Sequence, residues 1–180
     1  MTEVMTEPKH VSIVHLNAAA LTALAEGDLV AANQESPVRL TPYCAGPHWS
    51  SVWRMRSKQI VTDPASAAWI TGIVWDDDAQ VVVGRAGFHG PPDGEGRVEV
   101  GYAIDPAHRR RGYARAALEL MLDRAAHDPH VRVVRATVSP TNLASRNLVQ
   151  QYGFVEVGEQ WDDEDGLETI YELMDDGART

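Results

Sequence analysis

The chain has 180 residues, enough for a domain with a full core, and its 44% of hydrophobic residues is ordinary for a globular protein. A formal net charge of −10 argues against nonspecific nucleic-acid binding, which needs a basic surface, and favours a cationic partner. A single cysteine, Cys44, excludes an internal disulfide. The sequence shows neither an apolar run long enough to span a membrane nor a secretory signal. We therefore expect a cytoplasmic protein with no membrane partner.

The hydrophobic pattern divides the chain into a short tail and one long patterned region. Residues 1–10 are predicted to be disordered, and residues 11–180 are predicted to form a single domain. Within that domain, residues 11–67 are mainly helical, residues 68–138 form the core, and residues 139–180 add a helix and a hairpin. The sequence shows no internal repeat and no interdomain linker.

The N-terminal third is predicted to hold one strand followed by helices. Asn17 is a suitable N-cap for a first helix, which Gly27 ends. Trp49 and Trp53 lie at helical spacing, so they serve either as core residues or as the lining of a binding site. The other predictions here are a strand at Val11–Leu16, a short helix at Asp28–Asn33, a loop at Ser36–Gly46 and a helix at Trp49–Ile60.

Three β-rich runs follow and are predicted to form an antiparallel meander. These runs are Ala68–Asp76, Gln80–His89 and Val98–Asp105. An acidic cluster at Asp76–Asp78 separates the first two, and a second cluster lies at Asp162–Asp165. We interpret both clusters as solvated hairpin tips and predict no metal site.

The segment after the third run changes from a strand to a helix through a basic turn. Pro106 stops the strand, and Gly112 precedes a helix whose apolar residues recur at Ala114, Ala117, Leu118, Met121, Leu122 and Ala125. The first turn of a helix has unpaired N–H groups and a positive dipole end, so small residues there let an anion approach. An arginine run alone is more often a solvated face, but the strand-turn-helix context is the one that an anion site requires.

The remaining elements are predicted as a strand, a helix and a closing hairpin. Asp128-Pro129 ends the preceding helix, and Val131–Val138 is expected to lie parallel to the Val98–Asp105 strand. Asn142 is a helix cap by residue type. The last elements are a helix at Leu143–Tyr152, ended by Gly153, and two strands at Phe154–Gln160 and Glu168–Met174.

Two motifs in this order resemble those of a known family. Arg109-x-x-Gly112-x-Ala114, directly after VEVGYAIDP, resembles the acyl-CoA motif of the GNAT superfamily of N-acetyltransferases. The segment VEVGYAIDPAHRRRGYA is most similar in sequence to the branch of ribosomal-protein-alanine N-acetyltransferases. Asn142-x-x-Ser145 followed by Gly153-Phe154 resembles the second motif of that family.

The resemblance implies an α/β fold of the GNAT type. Its sheet has six to seven strands and is mostly antiparallel, with one splayed parallel pair and helices on both faces. Acetyl-CoA binds in the gap between the splayed strands as a cosubstrate, and no metal is implied. Residues 11–67 then form the acceptor side, and residues 68–138 form the acyl-CoA-binding core.

The resemblance also implies which residues contact the cofactor. The backbone of one strand end pairs with the pantetheine arm, and amides of the basic turn cradle the pyrophosphate. The implied cofactor-binding residues are Tyr102, Ala103, Ile104, Arg109, Arg110, Arg111, Gly112, Tyr113, Ala114, Arg115 and Asn142.

Few residues are candidates for the acid–base chemistry. Glu99 is the only acid within its strand and is the proposed base, although an outward-facing polar residue is the alternative. His89 and His108 flank the same region and are alternatives as base. Val149 stands where many relatives carry a tyrosine acid, so Ser145 is the candidate for contacting the sulfur, and Tyr152 is taken as core.

The resemblance therefore predicts an N-acetyltransferase that uses direct attack by a primary amine. The acceptor is a peptide or protein α-amine, or alternatively a small-molecule amine such as a polyamine, an amino acid or an antibiotic. A non-catalytic acyl-CoA-binding module is a further alternative, since the usual tyrosine is missing. A homodimer is expected from the family, and no nucleic acid is expected as a partner.

Overall fold

The computed structural model describes residues 8–174 of the chain. Most of the predicted disordered tail, residues 1–7, lies outside these residues. None of the helices in the described part combines the length and the apolar composition that crossing a membrane requires.

The described elements combine strands and helices in a mixed α/β protein. The strands are β1 (Val11–Val14), β2 (Gly72–Asp76), β3 (Val81–Phe88), β4 (Arg97–Ile104), β5 (Val133–Val138), β6 (Val155–Asp162) and β7 (Gly166–Met174). The α-helices are α1 (Ala18–Ala25), α2 (Leu29–Glu35), α3 (Ser50–Thr62), α4 (Tyr113–His127) and α5 (Leu143–Gln151).

Within residues 8–174, the strands form one sheet in the order β1-β2-β3-β4-β5-β7-β6. The pairs β1–β2, β2–β3, β5–β7 and β6–β7 are antiparallel, and β4–β5 is parallel. The parallel pairing joins Arg97–Val100 with Val133–Ala136, whereas β4 continues to Ile104 and β5 to Val138. This confirms the predicted sheet with its single parallel pair.

The described chain groups into two compact units. The first comprises residues 8–87 together with Tyr102–Leu120, and the second comprises Phe88–Gly101 together with residues 121–174. The prediction of one domain over residues 11–180 is not tested by this grouping, and each unit is described by itself below.

The first unit is built around the N-terminal helices. Asn17 caps α1 by accepting a hydrogen bond from the Ala20 amide at 2.8 Å, and Asp28 caps α2 in the same way. Both caps satisfy N–H groups that a helix start leaves unpaired. The buried hydrophobic residues of this core are Leu16, Ala20, Leu21, Leu24, Ala25, Ala32, Leu40, Cys44, Trp53, Ile70, Ile73 and Val82.

The second unit shows the alternation that one buried sheet face produces. In β5, Val134, Ala136 and Val138 are buried, while Arg135 and Thr137 on the other face are only partly buried. Val98, Val100 and Tyr171 on the neighbouring strands are buried too. The residues between these lie on the other face of the sheet, so polar side chains of β4 and β5 remain accessible there.

Three strand starts differ from the prediction by two residues or more, and one of them, β7, begins earlier, at Gly166 rather than Glu168. β2 begins at Gly72 rather than Ala68, because Pro64–Ala68 forms a 3-10 helix and Ser66 O accepts from the amides of Trp69 and Ile70. β5 begins at Val133 rather than Val131, since the amide of Val131 donates to Asp128 O in a turn. In both places an apolar run enters a turn that its composition does not indicate.

Candidate active site

The basic turn between β4 and α4 is closed by local hydrogen bonds. The Asp105 side chain accepts from the Ala107 amide at 2.9 Å, and Asp105 O accepts from the His108 amide at 2.8 Å. The Arg109 guanidinium donates through Nε to Ile104 O at 3.1 Å. These bonds fix how the strand enters the turn, so Arg109 has a structural contact besides its predicted cofactor role.

The backbone of this turn adopts left-handed conformations. Arg110 has φ +59° and Gly112 has φ +90°. Among residues 8–174, Arg110 and Gln80 are the two non-glycine residues with positive φ. This conformation costs about 1–2 kcal/mol for an L-residue, and such strain is concentrated at functional sites. Gly112 is needed here because other residues rarely adopt its backbone angles.

Helix α4 starts directly at this turn. Gly112 O accepts from the Ala116 amide at 3.0 Å, which makes Gly112 the residue before the first helical turn. In an α-helix the N–H groups that precede this bond have no intrahelical acceptor. The side chains of Arg109, Arg110, Arg111 and Arg115 are all exposed. The turn therefore combines amides, a helix dipole and cationic side chains in a chain that is acidic as a whole.

Tyr113, the first residue of α4, fastens the turn to the β2–β3 hairpin. Its hydroxyl donates to Asp76 Oδ2 at 2.5 Å, and both side chains are buried. The predicted solvated cluster thus has one buried member, Asp76, whose Oδ1 also accepts from the amides of Asp78 and Ala79. The prediction of a purely solvated tip was wrong for this residue, because it closes the hairpin.

The ionisation of this pair follows from its contacts. Burial raises the pKa of Tyr113 to about 12, and the hydrogen bond to Asp76 adds to that shift. Burial alone would raise the pKa of Asp76. The hydrogen bonds from the Ala79 amide, the Tyr113 hydroxyl and the Asp78 amide outweigh it, so that the pKa of Asp76 is lowered. A neutral tyrosine donor therefore meets an ionised carboxylate at neutral pH.

Replacing Tyr113 with phenylalanine is expected to lower the free energy of unfolding at pH 7 by about 1–3 kcal/mol, because Asp76 loses a buried donor. The lowered pKa of Asp76 gives stability above its ordinary pKa of 3.8, and this stability is lost as the pH falls through the folded-state pKa. In Tyr113→Phe that acid loss should be smaller. Urea denaturation between pH 3 and pH 7 measures both effects, and identical curves for the two proteins would contradict the assigned contact.

The end of β4 carries the three residues predicted to face the pantetheine arm. Tyr102 and Ala103 are half-buried, and Ile104 is buried. A Cβ atom on Gly84 of β3 would overlap with Ala103 O. A side chain at position 84 would therefore push Ala103 out of place, which explains the glycine there.

Glu99 lies on the accessible face of the second unit with two polar neighbours. Its Oε1 accepts from Thr137 Oγ1 at 2.8 Å and lies 3.6 Å from His89 Nδ1. The Glu99 side chain is 24% exposed and that of His89 is 48% exposed. A carboxylate held by one hydroxyl and open to solvent can accept a proton.

Glu99 forms no ion pair with the arginine opposite it, because that arginine also lies opposite a glutamate on β7 and binds that glutamate. Arg135 lies opposite Glu99 in the β4–β5 register. Its guanidinium donates instead to Glu172 Oε1 at 2.6 Å and 3.0 Å, on the β7 side. Arg97 Nε lies 3.5 Å from the same carboxylate oxygen. Glu172 therefore pairs with both arginines, of which Arg97 also pairs with Asp93 and Glu95. Thr137 is left to orient Glu99.

The second motif lies at the start of α5 in the same unit. Asn142 Oδ1 accepts from the Ser145 amide at 3.2 Å, which is an N-cap, and Ser145 is half-buried. Within the described part, no hydrogen bond or ion pair joins Ser145 to Glu99. Val149 is fully buried, and Tyr152 is half-buried at the end of the helix. The position that often carries a tyrosine acid is thus part of the core.

The predicted residues divide between the two units. The cofactor-binding stretch from Tyr102 to Arg115 belongs to the first unit, and Glu99, Asn142 and Ser145 belong to the second. Residues 8–174 contain no group of three or more side chains suited to hold a metal ion.

Three other candidates from the sequence take different positions. Trp53 is 1% exposed and donates through Nε1 to Cys44 O at 2.8 Å, so it is a core residue. Cys44 is buried, and burial raises the pKa of its thiol, as expected for a structural cysteine. His108 packs edge-on against Tyr113, with ring centroids 6.1 Å apart.

Sequence reasoning missed several contacts at these sites. Lys9, inside the stretch predicted to be disordered, lies over the Tyr113 ring with Nζ 5.5 Å from the centroid. His10 in the same stretch contacts Asp78 at 3.0 Å. Thr137 was detectable, because alternation from Arg135 puts it on the same strand face, but its pairing with Glu99 depends on the register.

Comparison with known proteins adds one family and several relatives. The model of the family described as "Acetyltransferase (GNAT) domain" matches residues 16–155. The uncharacterised N-acetyltransferase YjdG of Bacillus subtilis is 32% identical over 83 residues, which cover 46% of this chain and 49% of that protein. The uncharacterised N-acetyltransferase YoaA of the same organism is 30% identical over 90 residues, which cover 48% and 51%. The chain spans about half the length of these two curated relatives.

Solved structures match over nearly the whole chain. Ribosomal-protein-S5-alanine acetyltransferase from Vibrio fischeri superposes with a TM-score of 0.63 at 14% identity and covers 100% of both chains. A dodecameric spermidine N-acetyltransferase from Vibrio cholerae gives a TM-score of 0.61 at 16% identity, over 91% of this chain and 93% of that one. At these identities the likeness concerns the fold, while the acceptors of the two proteins differ.

Proposed function

Since the chain belongs to the acetyltransferase (GNAT) domain family, we propose that it transfers an acetyl group from acetyl-CoA to a primary amine by direct attack. The observation that carries this proposal is the basic turn before α4, with its left-handed Arg110 and Gly112 and its exposed arginines. A diphosphate fits such a turn because amides and guanidinium groups are both donors to phosphate oxygens. Acetyl-CoA is consumed as a substrate.

In this proposal the first unit holds the cosubstrate. The backbone of Tyr102, Ala103 and Ile104 pairs with the pantetheine arm. The amides of Arg110–Arg115 hold the pyrophosphate, with the side chains of the turn around it. By the resemblance alone, Asn142 of the second unit is proposed as a further cofactor-binding residue. The Tyr113 side chain is occupied by Asp76, so only its backbone amide is available to the ligand.

Deprotonation of the acceptor sets the first requirement of the chemistry. A lysine-like amine with a pKa near 10.4 costs about 4.6 kcal/mol to deprotonate at pH 7, whereas an α-amine near 8 costs about 1.4 kcal/mol. An α-amine thus needs less help from a base. This difference supports an α-amine acceptor for an enzyme whose proposed base is a single half-buried carboxylate.

Glu99 is the proposed base, and it accepts the proton directly or through water. The amine nitrogen then attacks the thioester carbonyl, the carbon–sulfur bond breaks, and the sulfur leaves as a thiolate. His89 Nδ1, 3.6 Å from Glu99, can pass the proton on to solvent. Thr137 keeps the carboxylate oriented during this transfer.

The departing thiolate has no tyrosine donor at position 149. A thiol with a pKa near 8.5 leaves tolerably as a thiolate, so a dedicated acid is not required. Ser145 is the proposed hydrogen-bond donor to the sulfur. No acyl-enzyme is proposed, because the described residues contain one cysteine, Cys44, which is buried.

The first acceptor class is a peptide or protein α-amine, supported by the resemblance to ribosomal-protein-alanine acetyltransferases and by the proton cost above. The second class is a small-molecule amine, such as a polyamine, an amino acid or an antibiotic, supported by the matching spermidine N-acetyltransferase. A cytoplasmic homodimer, without nucleic-acid or membrane partners, completes the proposal. A dodecameric protein among the matching structures supports self-association.

A thioester-release assay over an amine panel, with mass detection of the product, tests the proposed reaction. Acetylation of at least one amine, with stoichiometric release of CoA, is expected. Tight acetyl-CoA binding without turnover on any peptide, polyamine, amino acid or aminoglycoside would instead favour a non-catalytic acyl-CoA-binding module. Analytical ultracentrifugation of the full chain reports the oligomeric state.

A further inference from the structure

Tyr43, Trp49 and Arg85 form a cluster in the first unit that the acetyl-transfer chemistry does not use. The Tyr43 ring meets the Trp49 ring edge-on, with centroids 5.6 Å apart and planes at 78°. The Arg85 guanidinium carbon lies 3.7 Å from the Trp49 ring centroid. This is a cation–π stack with an aromatic wall, and we call the three residues the Tyr43 cluster.

The loop that carries the Tyr43 cluster is held in place by the core. Cys44, next to Tyr43, is 2% exposed, and its carbonyl accepts from the buried Trp53 indole at 2.8 Å. Gly46 connects the two aromatic residues, since its amide donates to Tyr43 O and its carbonyl accepts from the Trp49 amide. The two rings are therefore preorganised rather than carried on a loose loop.

Two polar atoms of the cluster are buried without a protein partner. Within residues 8–174, neither Tyr43 Oη nor Trp49 Nε1 has a hydrogen-bond partner. Leaving such a group unsatisfied costs about 1–3 kcal/mol, so buried orphans call for an explanation. The indole N–H is only a donor, and the phenol can also donate. Both atoms are suited to a ligand oxygen.

The charges around the cluster favour the same ligand. Burial raises the pKa of Tyr43 to about 12, with Arg85 and Arg109 opposing and Asp105 reinforcing the shift. Tyr43 therefore stays protonated and available as a donor. The guanidinium groups of Arg85 and Arg109 lie close enough to Tyr43 to lower its pKa, and guanidinium groups are donors to carbonyl and carboxylate oxygens.

We infer that the Tyr43 cluster is the acceptor subsite and binds a carbonyl or carboxylate oxygen that lies close to the reacting amine. The acceptor is then an amino acid or a peptide, which carries such an oxygen one carbon away from its α-amine. A polyamine has no such group. This inference rests on the proposed N-acetyl transfer and narrows its acceptor class.

The test that does not depend on turnover is ¹⁵N NMR of the tryptophan indoles. The chain has five tryptophans, and Trp49→Phe identifies the Trp49 signal by its disappearance. With CoA bound, we add alanine, leucine or phenylalanine, their carboxamides, the matched amines without the carbonyl carbon (ethylamine, isopentylamine, phenethylamine), or spermidine. The Trp49 indole signal should shift with at least one oxygen-bearing amine and with none of the matched amines or spermidine.

Three results would overturn the inference. One is a silent Trp49 signal with every oxygen-bearing amine at saturating concentration. Another is an equal shift with spermidine or a matched amine. The third is a shift caused by CoA alone, which would assign the Tyr43 cluster to the cosubstrate. If the Trp49 signal responds as expected but no amine is acetylated, the proposed reaction fails, and the Tyr43 cluster remains a binding site for oxygen-bearing amines without an acceptor role.

Kinetics separate the subsite from a merely structural role. Tyr43→Phe and Trp49→Phe keep the rings but remove one donor each. Each should lower kcat/KM for the preferred oxygen-bearing amine about tenfold more than kcat/KM for the matched amine, with the KM for acetyl-CoA unchanged. Trp161→Phe, at a residue 74% exposed on β6, is the matched control and should behave as wild type. A changed KM for acetyl-CoA, or an unchanged preference for the oxygen-bearing amine over the matched amine, would refute the assignment.

A comparison of carboxamide and free-acid substrates then distinguishes recognition of a peptide carbonyl from recognition of a free carboxylate.

Discussion

Replacing Gly112 with aspartate is expected to raise the dissociation constant for CoA at least about a hundredfold. Gly112 directly precedes the first turn of α4, at φ +90°, between exposed arginines. A carboxylate there faces the proposed pyrophosphate. Like charges brought together at a binding site cost several kcal/mol, and each 1.4 kcal/mol is tenfold in affinity. Isothermal titration with CoA measures the loss.

Two control variants separate charge from backbone strain at Gly112. Gly112→Asn has the same shape and the same backbone requirement without the charge, and it should keep most of the affinity. Gly27→Asp adds a carboxylate at an exposed glycine with φ +75°, and it should bind CoA as the wild type does. If Gly112→Asp binds CoA normally while remaining folded, the assigned phosphate site is wrong.

Replacing Glu99 with glutamine is expected to lower kcat/KM for the acceptor at least about a hundredfold, because general base catalysis contributes roughly 10²–10⁴. The amide keeps an oxygen that Thr137 can donate to, so the strand and the affinity for CoA should stay unchanged. The loss should be largest at low pH, where more of the acceptor amine is protonated and removing its proton costs more. Initial rates from pH 6 to pH 9, with CoA binding measured in parallel, give the result.

Glu159→Gln is the matched control, since Glu159 is an exposed carboxylate on β6. Full activity of Glu99→Gln across pH 6–9 would remove Glu99 as the base. His89→Gln then becomes informative, because His89 is the titratable neighbour 3.6 Å away. A severe loss in His89→Gln alone would transfer the role of base to the histidine.

The elements that the sequence predicted well are those decided by local chemistry. Asn17 caps its helix because its side chain reaches the amide three residues away, and Gly112 permits the angles that the turn needs. Asp28 was predicted as the first residue of its helix, and the structure makes it the cap instead. The start of β2 was not predicted correctly, because the apolar residues near Trp69 fit a 3-10 turn as well as a strand.

The candidate site was predicted by motif and completed by contacts of long sequence separation. The motif indicated the basic turn and Glu99. It did not indicate Asp76, because the acidic residues Asp76–Asp78 were interpreted together as a solvated hairpin tip. It did not indicate Lys9, because residues 1–10 show no hydrophobic periodicity. Nor could it separate Trp49 from Trp53, since both lie at helical spacing. Burial distinguishes them, because Trp53 enters the core and Trp49 stacks under Arg85.

By itself the sequence determined the order of the strands and helices, the helix caps and the basic turn, because each depends on residues a few positions apart. The tertiary structure decided which side chains meet. Tyr113 reaches Asp76 across 37 residues, and Thr137 reaches Glu99 across 38. Such contacts are fixed by strand register and by burial of the opposite face, and a one-residue shift in register would turn Thr137 away from Glu99.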